Sequence, residues 1–243
     1  MSTRTRQTIL FDGEGKEFMA DCVEATMQYC IDHQIRKLVM FTGTGQGPMH
    51  AIMSGYHPDV GVRIIAVTPP VGKVYLVNPL QPDAGMVRAG ISPVTRRALE
   101  DSEIAIVSAH LPFQSPPGDP GEHGFRSEWA RVERSYAILG EGFSLCIQAT
   151  LMACDAGHIE VGERVVAMTS ATSISILASN TDLFLSPTHG LLVEGWICQP
   201  RQYDISHHAN VAMSKMAEDQ RQLSSSQVPL VPLLNPTTDK PES

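Results

Sequence analysis

The sequence predicts an α/β protein: a three-layer sandwich in which helices cover both faces of a mostly parallel sheet. Short apolar runs at residues 37–41, 63–68 and 164–168 are typical of strands buried on both faces. Helical patterns separate these runs, and such alternation favours parallel strands joined by crossover helices. We therefore expect a single α/β domain over residues 8–205.

The length and the net charge of the chain indicate its domain size and the kinds of partner that it can bind. The chain has 243 residues and a formal net charge of −8. The length suits one large domain, and the negative balance argues against broad binding to nucleic acid or to an anionic membrane. No apolar run reaches the length of a membrane span, and the first ten residues do not resemble a signal peptide. We expect a cytoplasmic protein that binds a small molecule.

The spacing of the cysteines and histidines matches no metal-binding motif. No C-x-x-C, H-x-H or H-E-x-x-H spacing occurs, so we expect no metal. Reduced, buried thiols are the expected state in a cytosolic protein. The five cysteines are Cys22, Cys30, Cys146, Cys154 and Cys198.

The two ends of the chain differ from the middle in composition. Residues 1–7 are polar, and we expect a mobile leader. A terminal helix is predicted at 206–222. The remaining residues, 223–243, are rich in Ser and Pro and lack periodicity, which predicts a disordered or partner-bound tail.

The first elements are set by apolar spacing. A short strand is predicted at residues 8–11. Apolar residues recur at helical spacing over 16–33, which predicts an amphipathic helix. The strand at 37–41 then runs into a glycine-rich loop and a short helix that ends near Gly55.

The middle of the chain is less regular. Residues 71–92 are rich in Pro and Gly, and we expect a lid or an interface there. A helix with Pro at its start is predicted at 93–101, and a strand follows at 104–108. Residues 111–127 predict a surface excursion, and 128–139 a helix.

The last third contains the most apolar helix, predicted at residues 143–156. Its weak polarity places it inside the fold or in a subunit interface, so we expect a homo-oligomer. A hydroxyl-rich loop at 169–173 precedes a predicted short helix at 174–179. Strands are predicted at 182–185 and 192–198.

The loop after the strand at 37–41 is the strongest candidate for a binding site. It reads Thr-Gly-Thr-Gly-Gln-Gly, and Pro48, a residue favoured at the start of a helix, follows it. A glycine loop between a strand and a helix directs backbone N–H groups and the helix dipole at one point, where an anion can bind. A tight turn that binds nothing remains the alternative, because the loop lacks a lysine.

Three polar loops are predicted to follow strands, at residues 42–47, 108–110 and 169–173. In parallel sheets, ligands bind beyond the carboxyl ends of the strands. We therefore expect these loops, with Thr68, to hold a phosphorylated or nucleotide-like ligand. The predicted binding residues are Thr42, Gly43, Thr44, Gly45, Gln46, Gly47, Thr68, Thr169, Ser170, Thr172 and Ser173.

Two titratable residues are candidates for catalysis. His110 follows a predicted strand, where a neutral imidazole could act as general acid or base near pH 7. A partly buried histidine bonded to backbone is the alternative. Glu141 lies between two glycines at a predicted helix start, where it is a catalytic carboxylate or simply a capping one. A cofactor-free hydrolase or lyase would use both residues.

Several segments together resemble stand-alone proteins similar to the pyruvate kinase C-terminal domain. The segments are Leu139-Gly140-Glu141-Gly142-Phe143, Ala149 to Ile159, Gly162 to Ala167, and Ile197-Cys198-Gln199-Pro200-Arg201. Thr42-Gly43-Thr44-Gly45 also falls in the order of that family. The resemblance covers residues 9–201 and is patchy over 70–135.

The resemblance implies a pyruvate-kinase-C-terminal-domain-like fold with a phosphate site at the glycine loop. It implies flavin mononucleotide (FMN) as a candidate cofactor, and no pyruvate kinase activity. The family's second glycine loop, with its arginine, is replaced here by residues 168–173. The resemblance also implies an alternative function as a non-catalytic metabolite sensor or assembly module.

Overall fold

The computed structural model describes residues 7–77, 85–113, 132–133, 135–136 and 138–202. The predicted mobile leader, apart from its last residue, and the predicted C-terminal helix and tail lie outside the described residues. Most of the predicted excursion at 111–127 and of the helix at 128–139 also lies outside them, although Val132, Glu133, Ser135 and Tyr136 are helical.

Strands and helices alternate along the described chain, as the sequence predicts. The strands are β1 (Ile9–Phe11), β2 (Lys37–Phe41), β3 (Arg63–Thr68), β4 (Val74–Val77), β5 (Gly85–Arg88), β6 (Ala105–Ser108), β7 (Arg164–Met168), β8 (Ser173–Leu177) and β9 (Leu192–Pro200). The helices are α1 (Met19–Asp32), α2 (Gln46–Met53), α3 (Pro93–Asp101) and α4 (Glu141–Asp155). None of the helices in the described part of the chain is long and apolar enough to cross a bilayer.

Seven strands form one mixed sheet in the order β1-β9-β8-β7-β2-β3-β6. All neighbouring pairs are parallel except the two that β8 makes, with β7 and with β9. The other six strands therefore point the same way, and their carboxyl ends meet at one edge of the sheet. The α/β class is confirmed, and this edge is where the predicted polar loops lie.

Each face of the sheet is covered by its own apolar core. Along β2, Leu38 and Met40 pack on the face that α1 and α2 cover, while Val39 packs on the face that α4 covers. Side chains of a strand alternate between faces, so a continuous apolar run is the pattern expected for a strand covered twice. The apolar α4 is buried within this chain's own core, which resolves the choice between core and interface for that helix.

The predicted helix at 174–179 is wrong, because these residues form most of β8. The segment Ser173-Ile174-Ser175-Ile176 has period two, which is the signal of a strand. Ile174 and Ile176 pack in the core under α4. The Ser175 hydroxyl, on the opposite face, donates a hydrogen bond to Glu194 on β9.

The predicted strand at 182–185 is also wrong, because the chain turns there. The Asn180 side chain accepts a hydrogen bond from the Leu183 N–H, a local bond that competes with strand pairing. Phe184 alone of this segment is buried, and Leu185 is largely exposed. This short apolar segment therefore forms a turn, and the ring of Phe184 anchors the turn to the core.

The connection at 71–92 contains regular structure that the sequence analysis missed. β4 and β5 pair as an antiparallel hairpin, separate from the main sheet. Its base continues the ladder, because the Gly72 N–H donates to Ala89 O and the Ala89 N–H donates to Lys73 O. The hairpin leaves the main sheet at the carboxyl end of β3, next to the glycine loop.

Candidate functional site

The junction between β2 and α2 has the predicted order of strand, glycine loop and helix. The Thr42 N–H donates to Val67 O, which extends the β2–β3 ladder by one residue. The Thr42 hydroxyl accepts a hydrogen bond from the Gly45 N–H at 2.9 Å. Gly45 has φ of 88°, a left-handed conformation that favours glycine. The helix begins at Gln46, two residues before Pro48, whose missing N–H is not needed in the first turn.

Four N–H groups at this junction have no partner among the described residues. In the described part of the chain, no hydrogen bond is donated by the backbone N–H of Gly43, Thr44, Gln46 or Gly47. The last two belong to the first turn of α2, which cannot satisfy them internally. Together with the positive end of the helix dipole, these groups can donate hydrogen bonds to an anion.

The glycine loop borders a cavity of about 190 Å³ between α2 and α3. Gly45 is buried at its floor, where an added Cβ would lie 2.8 Å from the Thr95 Cγ2 atom of α3. Gln46 is exposed at the rim. The cavity is lined by Thr44, Gly45, Gln46, Met49, His50, Met53 and Thr95. The loop is therefore packed on its α3 side but is not sealed.

The β7–β8 turn lies beside the glycine loop. Met40 on β2 pairs with Met168 on β7, so the residues that follow each strand are neighbours. The Thr169 N–H donates to Thr172 O and closes the turn. Thr169 and Ser170 are half-buried, so their hydroxyl groups border the same edge of the sheet.

The start of α4 packs against this turn. A Cβ at Gly142 would lie 2.9 Å from the Thr169 Oγ1 atom and closer still to the Thr172 hydroxyl. Thr172 is thus covered by the helix, and Ser173 is buried in β8. These two predicted binding residues support the turn, and neither lines the cavity beside the glycine loop.

Thr68 is buried at the end of β3, and its hydroxyl donates a hydrogen bond to Pro69 O at 3.3 Å. The structure therefore places Thr68 beneath the edge of the sheet. Its position is that of a structural residue at the start of the hairpin.

His110 lies in a different cavity, of about 380 Å³, next to β6 and the end of α4. His110 is exposed there, and Ser108, Asp155 and Thr181 share the cavity with it. The Asp155 carboxylate accepts hydrogen bonds from the Thr181 N–H, at 3.0 Å, and from the Thr181 hydroxyl, at 2.5 Å. The structure brings His110 together with Asp155 but not with the glycine loop.

Glu141 is the first residue of α4, and its side chain lies outside what the structure describes. Its backbone places it at the carboxyl edge of the sheet, close to the Thr169–Thr172 turn that Gly142 touches. Glu141 is not among the residues that line the cavity of His110.

Lys73 is a candidate that the sequence analysis missed. It is half-buried at the base of the hairpin. Its backbone C=O accepts a hydrogen bond from the Ala89 N–H, and the N–H of the next residue, Gly90, donates to Gly43 O. Burial lowers the pKa of Lys73, and the charge of Glu133 offsets part of that effect. The only signal in the sequence was a lysine within a Pro- and Gly-rich connection, and its partner is 60 residues away.

No cluster of three or more metal-ligating side chains occurs in the described ranges. No protein-family model matches the chain, and no curated protein matches it.

Proposed function

We propose that this protein binds a small molecule through its phosphate group at the β2–α2 junction. One observation carries the proposal: four backbone N–H groups at this junction have no partner in the described chain, and two of them, those of Thr44 and Gln46, belong to residues that line a cavity of about 190 Å³. Backbone donors at a helix start suit phosphate because they supply several hydrogen bonds without the entropy loss of long side chains.

The surrounding charges are compatible with an anionic ligand. The net charge of −8 repels anions at long range, but salt screens that field beyond about 10 Å. Lys73 lies at the base of the neighbouring hairpin, where the charge of Glu133 acts on its ammonium group, and the Thr44 hydroxyl adds a donor to the site. Local dipoles therefore oppose the mean field where the ligand would bind.

The size of the cavity favours a small phosphorylated metabolite over FMN. Pockets for larger ligands usually have volumes of roughly 300–1,000 Å³. The N–H groups could hold the phosphate of FMN, but a flavin ring system needs more space than this cavity of about 190 Å³ provides. When bound, FMN would supply redox chemistry, and the chain's own part would be to hold its phosphate. The resemblance to pyruvate-kinase-C-terminal-domain-like proteins, and the mostly parallel sheet, support a phosphate ligand.

The substitution Gln46→Glu tests the proposal. It places a carboxylate at the first residue of α2, which stabilises the helix through its dipole but repels a bound anion. We expect inorganic phosphate to bind the wild type, with binding at least about tenfold weaker in the variant. Calorimetric titration measures both affinities, and thermal unfolding confirms that the variant is folded.

The control is Leu192→Glu, which adds the same charge at an exposed position on the opposite edge of the sheet. Phosphate affinity should be unchanged in this variant. Equal phosphate affinity in Gln46→Glu and wild type, or no measurable binding to the wild type, would contradict the proposed site.

His110 supports a second candidate, a cofactor-free hydrolase or lyase that uses this side chain as acid or base. The observation in favour is the shared cavity of His110, Ser108 and Asp155. Because the glycine loop borders another cavity, His110→Ala should leave phosphate affinity unchanged while it abolishes any turnover. A parallel loss of phosphate affinity would show that the two sites act as one.

A non-catalytic sensor is the alternative to both. It would change its assembly state, as a homo-oligomer, when phosphate binds at the β2–α2 junction. Light scattering with and without phosphate distinguishes this function, since a sensor changes in mass without turnover.

A further inference from the structure

The larger cavity, which we call the β6–α4 cavity, has an apolar floor and a polar rim. Val107 and Met152 are buried at its floor, while Ser108, His110 and Asp155 are exposed at its rim. Its volume of about 380 Å³ is typical of a site for a small molecule. The polar groups of the rim therefore decide which chemical class of molecule can bind.

Several hydrogen-bond donors of the rim are already used inside the protein. The Ser108 hydroxyl donates to a backbone carbonyl at 3.4 Å. The Thr181 hydroxyl and N–H both donate to the Asp155 carboxylate, at 2.5 Å and 3.0 Å. The N–H groups of Ala109 and Ala156 donate to backbone carbonyls as well. The oxygen atoms of these side chains keep free lone pairs, so the rim offers mainly hydrogen-bond acceptors.

The charge of the rim is negative. Asp155 is the only Asp, Glu, Lys or Arg among the described residues that line the cavity. It is also the last residue of α4, where the helix dipole is negative. The net charge of −8 has the same sign at long range. The cavity therefore favours a cation and repels an anion, in contrast to the glycine loop.

His110 adds a further acceptor to this rim. No hydrogen bond of the described chain uses its ring, and a neutral imidazole has one nitrogen that accepts. A carboxylate and an imidazole are fewer ligands than a metal ion in a protein usually has. A primary ammonium group has three N–H donors, which suit a carboxylate, an imidazole and a hydroxyl oxygen together.

We propose that the β6–α4 cavity binds a primary amine. The ammonium group donates hydrogen bonds to Asp155 and His110, and the apolar body of the amine packs on Val107 and Met152. The inference deepens the second candidate function by naming its substrate class, so turnover of the amine rests on that function. Binding of the amine needs no phosphate site, because the glycine loop borders the other cavity.

Three probes of nearly equal size and different charge test the proposal on the full chain at pH 7.5. They are benzylamine, which is protonated at this pH, benzyl alcohol and benzoate. We expect benzylamine to bind in the millimolar range and benzyl alcohol to bind about fivefold more weakly or worse. Benzoate should show no saturable binding, because the rim repels its carboxylate. Calorimetric titration measures all three affinities.

The substitution Asp155→Asn removes the charge of the rim and keeps the size of the side chain. We expect benzylamine to bind this variant about fivefold more weakly, with little change for benzyl alcohol. Glu160→Gln is the matched control, since it removes one exposed carboxylate soon after α4 but does not line the cavity. The control should change the affinity for benzylamine by less than about twofold.

The proposal is overturned if benzylamine binds the wild type no more tightly than benzyl alcohol, or if benzoate binds best. It is also overturned if Asp155→Asn binds benzylamine as tightly as the wild type does. The three probes on the wild type decide the matter even if a variant does not fold. Titration of the same wild-type preparation with phosphate separates the two sites: a protein that binds phosphate but not benzylamine has lost only the amine site.

Discussion

Gln148 shows how one buried polar side chain can hold an irregular segment in place. It is almost fully buried in α4, and its Oε1 atom accepts a hydrogen bond from the Phe113 N–H at 3.0 Å. Its Nε2 atom donates to the Ser144 hydroxyl at 3.2 Å. The chain after β6 is thus fixed to α4 by an amide that sits among apolar residues.

We predict that Gln148→Leu destabilises the protein by about 1–3 kcal/mol, because the buried Phe113 N–H would lose the amide oxygen that accepts its hydrogen bond. Chemical denaturation measures the change. Ser144→Ala is the control, since it removes one side-chain bond but leaves the Phe113 N–H paired, and it should cost less than Gln148→Leu. Equal costs for the two variants would mean that the bond to Phe113 carries no special weight.

The residues of the candidate site divide into those that sequence could predict and those that it could not. Thr42, Gly45 and Gln46 follow from a local pattern, because a glycine loop between strand and helix is a short-range feature. The pairing of Lys73 with Glu133, and of Gln148 with Phe113, depends on contacts between distant parts of the chain. No local pattern encodes such contacts. Nor does a local pattern encode the placement of His110 and the glycine loop in different cavities.

Two helices start at the same edge of the sheet with glycine at their second position, yet the two glycines have different roles. Gly142 in α4 lies against the Thr169 and Thr172 side chains. Gly47 in α2 has no atom within 4 Å of the position that a Cβ would occupy. The first glycine permits close packing of a helix on a turn, whereas the second has open space where a Cβ would lie.

We predict that Gly142→Ala destabilises the fold by about 1–3 kcal/mol, because its methyl group would force α4 away from the turn. The matched variant Gly47→Ala should stabilise the protein by about 0.5–1 kcal/mol through helix propensity. Thermal or urea unfolding without ligand measures both. If the two variants had the same sign, packing at the start of α4 would not be the cause.

Among the secondary-structure elements, the sequence correctly predicts the strands that are buried on both faces of the sheet. The strands β2, β3 and β7 were confirmed because a continuous apolar run has few other uses in a globular domain. The position of β8 after a polar loop, where a parallel fold usually places a helix, predicts a helix, whereas its Ser-Ile alternation has the period of two that is typical of a strand. The hairpin of β4 and β5 was missed because its residues are apolar without a clear period.

The molecule as a whole has several buried groups that resist ionisation. Burial raises the pKa of Cys30 to about 12, and it raises the pKa of Cys146, Tyr56 and Tyr136 as well. In the unfolded chain a thiol ionises from about pH 9 upward. The unfolded state then binds fewer protons than the folded state, so stability is full below pH 9 and falls as pH rises toward 12.

We predict that Cys30→Ala makes the loss of stability less steep, by about 1 kcal/mol per pH unit between pH 9.5 and 11.5. Urea unfolding at a series of pH values measures the slope. Val23→Ala is the control, because it also shortens a buried side chain on α1 but removes no titrating group. That variant should lower stability by the same amount at every pH, and an unchanged slope in Cys30→Ala would contradict the prediction.

The pairing of β1 with β9 has a consequence for biosynthesis. Ile9 lies opposite Cys198, so the first and the last strand of the described sheet, in the order of translation, pair with each other. Until β9 has been translated, β1 has no partner in the native register, and its Ile9 and Leu10 side chains are available to other chains. We expect nascent chains truncated before β9 to bind chaperones or to aggregate, and translation of β9 to complete the described sheet.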